Sequence, residues 1–336
     1  MLKNVFAPFG ASLELWDRHF FAGERRTLRL FVFNDEPETK TGVVRHGVVN
    51  GNGSWVSSNF AHVRVEGGDC RILSIEIAFP HIPGTYQVKA ELQNANDPAT
   101  FVQSRKVAQV FSPAEVSEKL RRTRLVLFDS HHEMAQFLNS REIPFEDFAE
   151  TVLNDQPALI VAEGMIRDRR YQDRLAEISR FAQAGHTVVI IEPEFGVEGK
   201  ETVPILDDLR IEIEKRVDAG KGGYDSYVFA EDYSHPLWNG INKEHLKMFN
   251  GALGGEVVSQ HNVISLAPHT VLARCGLQLK VIAAAEIAVE MGKVILSRLQ
   301  TRGRLMPQAQ ANNLFDRRVD PVAQQYFLNL LAYASG

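Results

Sequence analysis

Three carboxylates close two of the most apolar segments of this 336-residue chain: Glu163 ends PALIVAEG, and Glu192 and Glu194 flank Pro193 at the end of HTVVIIEPE. Carboxylates that converge at strand ends raise one another's pKa, so one can hold a proton while another accepts one. They can also bind a cation or sugar hydroxyls. Glu163, Glu192 and Glu194 are therefore the candidate acid-base residues. A third apolar segment, RLVLFDS, runs directly into His131-His132-Glu133. Asp129 and His131 supply donors and acceptors at the kind of strand end where open α/β sheets place ligands. Adjacent histidines point in different directions, and the simpler alternative is that Ser130 caps a helix beginning at His131. Trp238, in His235-Pro236-Leu237-Trp238-Asn239-Gly240, offers a ring for a sugar face, as do Trp16 and Trp55. A packed indole is the competing reading.

Other chemistry lacks its residues. Only Cys70 and Cys275 are present, which excludes a disulfide-stapled scaffold. His245, His261 and His269 have no zinc-ligand spacing, and no metal is expected. Asp218-Ala219-Gly220-Lys221-Gly222-Gly223 lacks the Ser or Thr and the spacing of a Walker loop, so no nucleotide or other cofactor is expected. With 37 Lys and Arg against 42 Asp and Glu, the formal charge is −5, which gives no electrostatic reason for a nucleic-acid partner. The N-terminal MLKNVFAPFG has no apolar stretch of the kind a signal peptide needs, which favours a cytoplasmic location. VIAAAEIAVEMG is interrupted by Glu286 and Glu290, so no membrane span is expected.

Two periodicities divide the elements that must position these residues. Over residues 1–111 the pattern is that of short strands. Tyr86, Val88, Ala90 and Leu92 alternate with polar residues, as do Leu73, Ile75, Ile77 and Phe79, and Leu28, Leu30 and Val32 share one face. Period two is that of half-buried strands, and a small antiparallel sandwich follows. From about residue 120 compact apolar runs read as central strands of a sheet covered on both faces. Tyr171, Leu175, Ile178 and Ala182 form a helical stripe between two of them, with Gly185 just beyond it. Strand, helix, strand predicts parallel pairing. TVLARC and LQLKVIAAAEIAV suggest an antiparallel extension, and GKVILSRL a return to the main sheet. Asp320-Pro321 opens a final helix with a broad apolar face. Ser112-Pro113 begins the boundary, and EKLRR suits a linker or a short helix.

LELWDRHFFAGERRTLRLFVFND followed by PGTYQVKAEL resembles the immunoglobulin-like sandwich found after the catalytic barrel in family 2 type glycoside hydrolases and their beta-galactosidase-like relatives. YSHPLWNGI, VEMGKVILSRLQ and DPVAQQYFLNLLAY resemble the glutamine-amidotransferase-like accessory domain attached to some of those enzymes. The resemblance spans nearly the whole chain. It implies an immunoglobulin-like β-sandwich over 1–111 and a flavodoxin-like, doubly wound α/β domain over 118–336. Two departures qualify it. Where the amidotransferase pattern has its nucleophilic cysteine, after HTVVII, stands Glu192-Pro193-Glu194. The chain also has no room for a (β/α)₈ barrel of about 250 residues. The expectation is a non-catalytic accessory region with a structural, oligomerising or carbohydrate-contacting task. Its partners would be a catalytic barrel on another chain, further copies of itself, or carbohydrate. The alternative is a hydrolase that uses the strand-end carboxylates itself.

Overall fold

The computed structural model describes residues 7–95, 97–216, 226–265, 267–308 and 313–336. The glycine-rich string Asp218–Gly223 lies outside the described residues. The chain is mostly β and forms several sheets. It divides into two compact units, Met1–Pro113 and Ala114–Gly336.

The first unit contains β1 (Phe9–Glu14), β2 (His19–Phe21), β3 (Arg25–Asn34), β4 (Lys40–Val49), β5 (Trp55–Val65), β6 (Asp69–Ala78), β7 (Gly84–Asn94) and β8 (Asp97–Phe111). They form two sheets, β1-β3-β6 and β2-β8-β7-β4-β5. The alternation read from the sequence decides what lies inside. Leu28, Leu30 and Val32 of β3, Ile75 and Ile77 of β6, Val44 and Val48 of β4, and Val88, Ala90 and Leu92 of β7 are all buried in one core. This two-sheet arrangement is consistent with an immunoglobulin-like sandwich. It is not purely antiparallel, because β2 pairs in parallel with β8, His19 facing Gln109. The chain leaves β1 in one sheet and enters β2 in the other.

The second unit begins with α1 (Glu118–Arg122) and β9 (Leu125–Phe128), followed by α2 (Glu133–Ser140), β10 (Phe145–Asp147) and β11 (Ala158–Val161). Then come α3 (Arg169–Gln172), α4 (Leu175–Gln183), β12 (Thr187–Ile191), β13 (Lys200–Pro204), β14 (Arg210–Lys215) and β15 (Phe229–Ala230). The rest comprises β16 (His261–Ser265), β17 (Thr270–Cys275), β18 (Val281–Val289), β19 (Gly292–Ser297) and α5 (Pro321–Ala334). The main sheet runs β10-β9-β11-β12-β19-β18-β17-β15. Its first five strands are mutually parallel, and the last three add on antiparallel. A separate antiparallel sheet, β13-β14-β16, belongs to the excursion between β12 and β19. Every residue of β9, β11 and β12 is buried, as an unbroken apolar run in a covered parallel sheet requires.

The helical stripe between β11 and β12 is broken into two pieces. Asp168 caps α3 by accepting from Arg170 N at 2.8 Å. Beyond α3, Arg174 turns to donate to Phe148 O and Thr151 O and pairs with Glu177. These bonds tie the break to the loop after β10. The terminal helix starts as its sequence indicates, Asp320 accepting from Val322 N and Ala323 N at 2.8 and 3.1 Å.

Candidate functional site

All parallel strands end on the same edge, so the residues following β9, β11, β12 and β19 share it. Order along the sheet reverses between β9 and β11: β10 lies on one side of that gap, and β12 and β19 lie beyond β11 on the other. Such a gap is where open parallel sheets leave a crevice.

Glu163 follows β11 and Glu192 follows β12, and both are 2% exposed. Gly164 N donates to Glu192 O at 3.2 Å, joining the two strand ends. Glu192 itself has φ +44, an uncommon conformation for a side chain of this size, in which the backbone turns sharply out of the strand. Its carboxylate accepts from Arg302 N at 3.0 Å and from Arg317 Nη1 at 3.2 Å. Burial pushes the Glu192 pKa up, against the opposing pull of Arg317 and the Arg302 N–H. Glu163 is also raised, to about 8, first by burial and then by the neighbouring Glu192 charge. Arg302 Nε lies 3.2 Å from Glu163 Oε1, and His131 Nε2 lies 3.9 Å from the same oxygen. Burial and the Arg302 charge lower the His131 pKa. Near neutral pH the pair is therefore a protonated carboxyl beside a neutral imidazole, not an ion pair.

Glu194, also 2% exposed, faces a different partner set. Its Oε1 accepts from Ser259 Oγ at 2.7 Å and lies 3.5 Å from Arg298 Nε. Asp129 holds backbone: its two oxygens accept from His131 N, His132 N and Ala135 N at 3.0–3.1 Å. Asp129 therefore satisfies the start of α2, with His132 at φ +62. Ser130 instead donates to Met165 Sδ, so the expected serine cap is corrected. Trp238 is corrected as a stacking platform. Its side chain is 1% exposed, and its ring stacks on Tyr326 of α5 with centroids 5.4 Å apart. A ring covered in this way has no face left for a sugar.

This edge of the sheet thus brings Glu163, Glu192 and His131 together, uses Asp129 as a backbone anchor, and leaves Glu194 and Trp238 in other contacts. Sequence reasoning weighed the carboxylates without their counterions. Arg302 also lies 4.3 Å from the Phe195 ring centroid, and Arg304, fully buried, donates to Gln300 O, Gly254 O and Glu256 O. Glu133 accepts from Gly303 N, Leu305 N and Met306 N. A legible signal was available: Arg298, Arg302 and Arg304 crowd the segment that directly follows an apolar strand, where cations need anionic partners. Cys275 lies in β17, buried, with Arg298 Nη1 3.6 Å from its sulfur. Burial pushes its thiol pKa up, away from a nucleophilic thiolate. Among the described residues, no group of three or more His, Cys, Asp or Glu could hold a metal ion, and no helix is long and apolar enough to cross a membrane.

No family model and no curated protein sequence matches the chain. Solved structures give partial likenesses. The CARDB domain of a Pyrococcus furiosus protein, determined in complex with di-metal ions, is 13% identical over 30% of this chain and 85% of its own, with a TM-score of 0.24. Native Escherichia coli alpha-2-macroglobulin is 19% identical over 33% of this chain and 7% of its own, at TM-score 0.27. A β-glucosidase from Erythrobacter marinus is 13% identical over 31% of this chain and 15% of its own, at TM-score 0.24.

Proposed function

We propose that the chain is a non-catalytic accessory region of a glycoside-hydrolase-like protein. In this reading an immunoglobulin-like sandwich precedes a flavodoxin-like, glutamine-amidotransferase-like unit whose task is structural support or contact with carbohydrate. One observation carries the non-catalytic part: Glu192 occupies the sharp turn after β12, buried and held by Arg302 N and Arg317 Nη1. An amidotransferase needs a thiolate at that turn. A carboxylate bound on both oxygens is positioned as a structural ligand of Arg302 and Arg317.

One feature favours the competing reading of a carbohydrate-active hydrolase. Glu163 keeps its proton near neutral pH, as a general acid must. The neighbouring carboxylate, Glu192, already accepts from Arg302 N and Arg317, so it is engaged by the protein rather than offered to a sugar carbon or a water.

Purified chain incubated with glutamine, and separately with a panel of aryl glycosides and oligosaccharides, is expected to release neither ammonia nor sugar above the buffer control. Turnover lost in Glu163→Gln and Glu192→Gln, with folded circular-dichroism spectra retained, would establish the hydrolase instead. Glutamine turnover abolished by Cys275→Ala would overturn the assignment differently. Co-purification from the native source with mass spectrometry then identifies a catalytic partner or a homo-oligomer.

A further inference from the structure

A concavity of the α/β unit, about 830 Å³ in volume, lies between the 233–242 segment, the end of α5 and the start of β19. That volume is in the range of small-ligand clefts. One wall is a turn built to stay in place. His235 Nδ1 accepts from Leu237 N at 3.3 Å, Pro236 fixes its own φ and restricts His235 before it, and Leu237 and Trp238 are buried beneath it. Asn329 of α5 donates to Leu237 O and Asn239 O at 3.1 and 2.8 Å. Gly240, at φ +74, lets the chain turn away.

The lining chemistry narrows the ligand. His235 and Tyr333 meet edge to face, with centroids 4.6 Å apart, and form an aromatic corner. Because Nδ1 of His235 is an acceptor, the neutral ring carries its proton on Nε2, and burial favours that neutral form by lowering the pKa. The indole N–H of buried Trp238 has no hydrogen-bond partner, and an unpaired buried donor is costly. Asn239 and Asn242, both exposed, stand on the rim. The formal charge in the lining is already neutralised: Lys293 Nζ lies 3.1 Å from Glu286 and 3.7 Å from the Tyr333 ring centroid, and Tyr333 donates to Glu286 at 2.7 Å. The Gly336 carbonyl accepts from Lys119. A cleft with an aromatic corner, an imidazole N–H, the exposed Asn239 and no spare charge suits a neutral ligand that combines apolar faces with hydroxyls.

We infer that this cleft binds a neutral oligosaccharide, with Tyr333 and His235 as its contact surface. The inference rests on the accessory reading and narrows it: carbohydrate contact is assigned to this cleft, away from the carboxylates of the crevice. The test is calorimetry and ligand-observed NMR on the full chain with gluco-, galacto-, manno- and xylo-trisaccharides at about 10 mM, tenfold above a millimolar Kd. At least one should bind, and Tyr333→Ala or His235→Ala should weaken it by about tenfold or more. Tyr333→Phe keeps the ring and should stay within about threefold of the wild type, and Arg169→Ala, at an exposed side chain outside the cleft lining, should not differ from it. Melting curves for each variant separate a lost contact from a lost fold, and Tyr333→Phe keeps the comparison readable if Tyr333→Ala unfolds. Absence of binding across the panel would overturn the cleft assignment. So would binding that survives Tyr333→Ala but is lost in Phe195→Ala, which would move the sugar to the crevice and leave the accessory reading standing. Cleavage of a trisaccharide would overturn the accessory reading itself.

Discussion

Buried Asn34 and Asp17 in the sandwich fasten local structure one at a time, whereas the buried glutamates and arginines of the α/β unit gather along one edge of the sheet. Asn34, fully buried in the sandwich, donates to Glu38 O, Val65 O and Glu66 O and accepts from Glu36 N, closing the ends of β3 and β5 by itself. Asp17 pairs with Arg26 at 2.7 Å, and the Arg26 side chain keeps 23% exposure to water. In the α/β unit Glu163, Glu192, Glu194, Arg298 and Arg304 are each 2% exposed or less, and they bridge the ends of β11, β12 and β19 to the segments that follow. A parallel sheet gives its strand-end loops no hairpin partners, so their backbone groups must find side chains. The sandwich disperses that task over its turns, and the α/β unit concentrates it where a ligand site would otherwise form. Perturbed carboxylates at a crevice are therefore an ambiguous sign here, because structural networks raise pKa values just as active sites do.

The comparison breaks most sharply at Arg304. Truncating it to alanine strands three backbone carbonyls and the charge of its neighbours in a site closed to water. Loss of one member of such a buried network costs about 3–5 kcal/mol. Arg25→Ala in the sandwich removes an exposed guanidinium from its pair with Glu76, and its expected cost is about 1 kcal/mol or less. Denaturant unfolding followed by hydrogen exchange with mass mapping assigns each loss to its own unit. Equal losses would mean that water enters the Arg304 site and that the two units do not differ in the way described.

Glu163→Gln sharpens the same comparison through pH. The folded pKa of Glu163, about 8, stands above its ordinary 4.5, so the native state holds a proton that the unfolded chain releases. The associated stability is complete below pH 4.5 and is lost as pH rises toward 8, by at most about 1.4 kcal/mol per unit. Glu192, Asp129, Arg302 and His131 set this balance. The α/β unit should therefore weaken between pH 5 and 8, and Glu163→Gln should flatten that slope. An unchanged slope in the variant would place the titrating group elsewhere.

How far the sequence disclosed this molecule follows the range of the forces involved. Alternation placed Val88, Ala90 and Leu92 inside a sheet because strand period is local. Unbroken apolar runs marked β9, β11 and β12 because covered strands need nothing else. Asp320-Pro321 marked the start of α5 because a cap acts over three residues. The parallel placement of β2 was illegible, because it depends on which sheet the chain enters next. The break between α3 and α4 was equally hidden, since Arg174 finds its carbonyl partners in the loop after β10. At the crevice the carboxylates were visible as types at strand ends, but Arg302 and Arg317 lie more than a hundred positions from Glu192. Without those partners a chemical site and a structural clasp have the same sequence.

The smallest expected effect lies in the sandwich and runs the other way with pH. His46 is 5% exposed, its Nδ1 has no hydrogen-bond partner, and burial lowers its pKa below the ordinary 6.5. A depressed histidine pKa means that the unfolded chain binds the proton more readily. Its contribution is therefore complete above pH 6.5 and is lost as pH falls toward the folded value. The sandwich should weaken in mild acid, over a range where falling pH strengthens the α/β unit through Glu163. His46→Leu removes both the titration and the unpartnered nitrogen. At pH 7.5 it should leave stability within about 1 kcal/mol of the wild type, because a lone buried acceptor is a modest liability. At pH 5 the variant sandwich should be the more stable of the two, as read by hydrogen exchange of β4 and β7. If both proteins lose protection equally in acid, the acid sensitivity of the sandwich comes from its carboxylates, and the opposed pH slopes of the two units need another source.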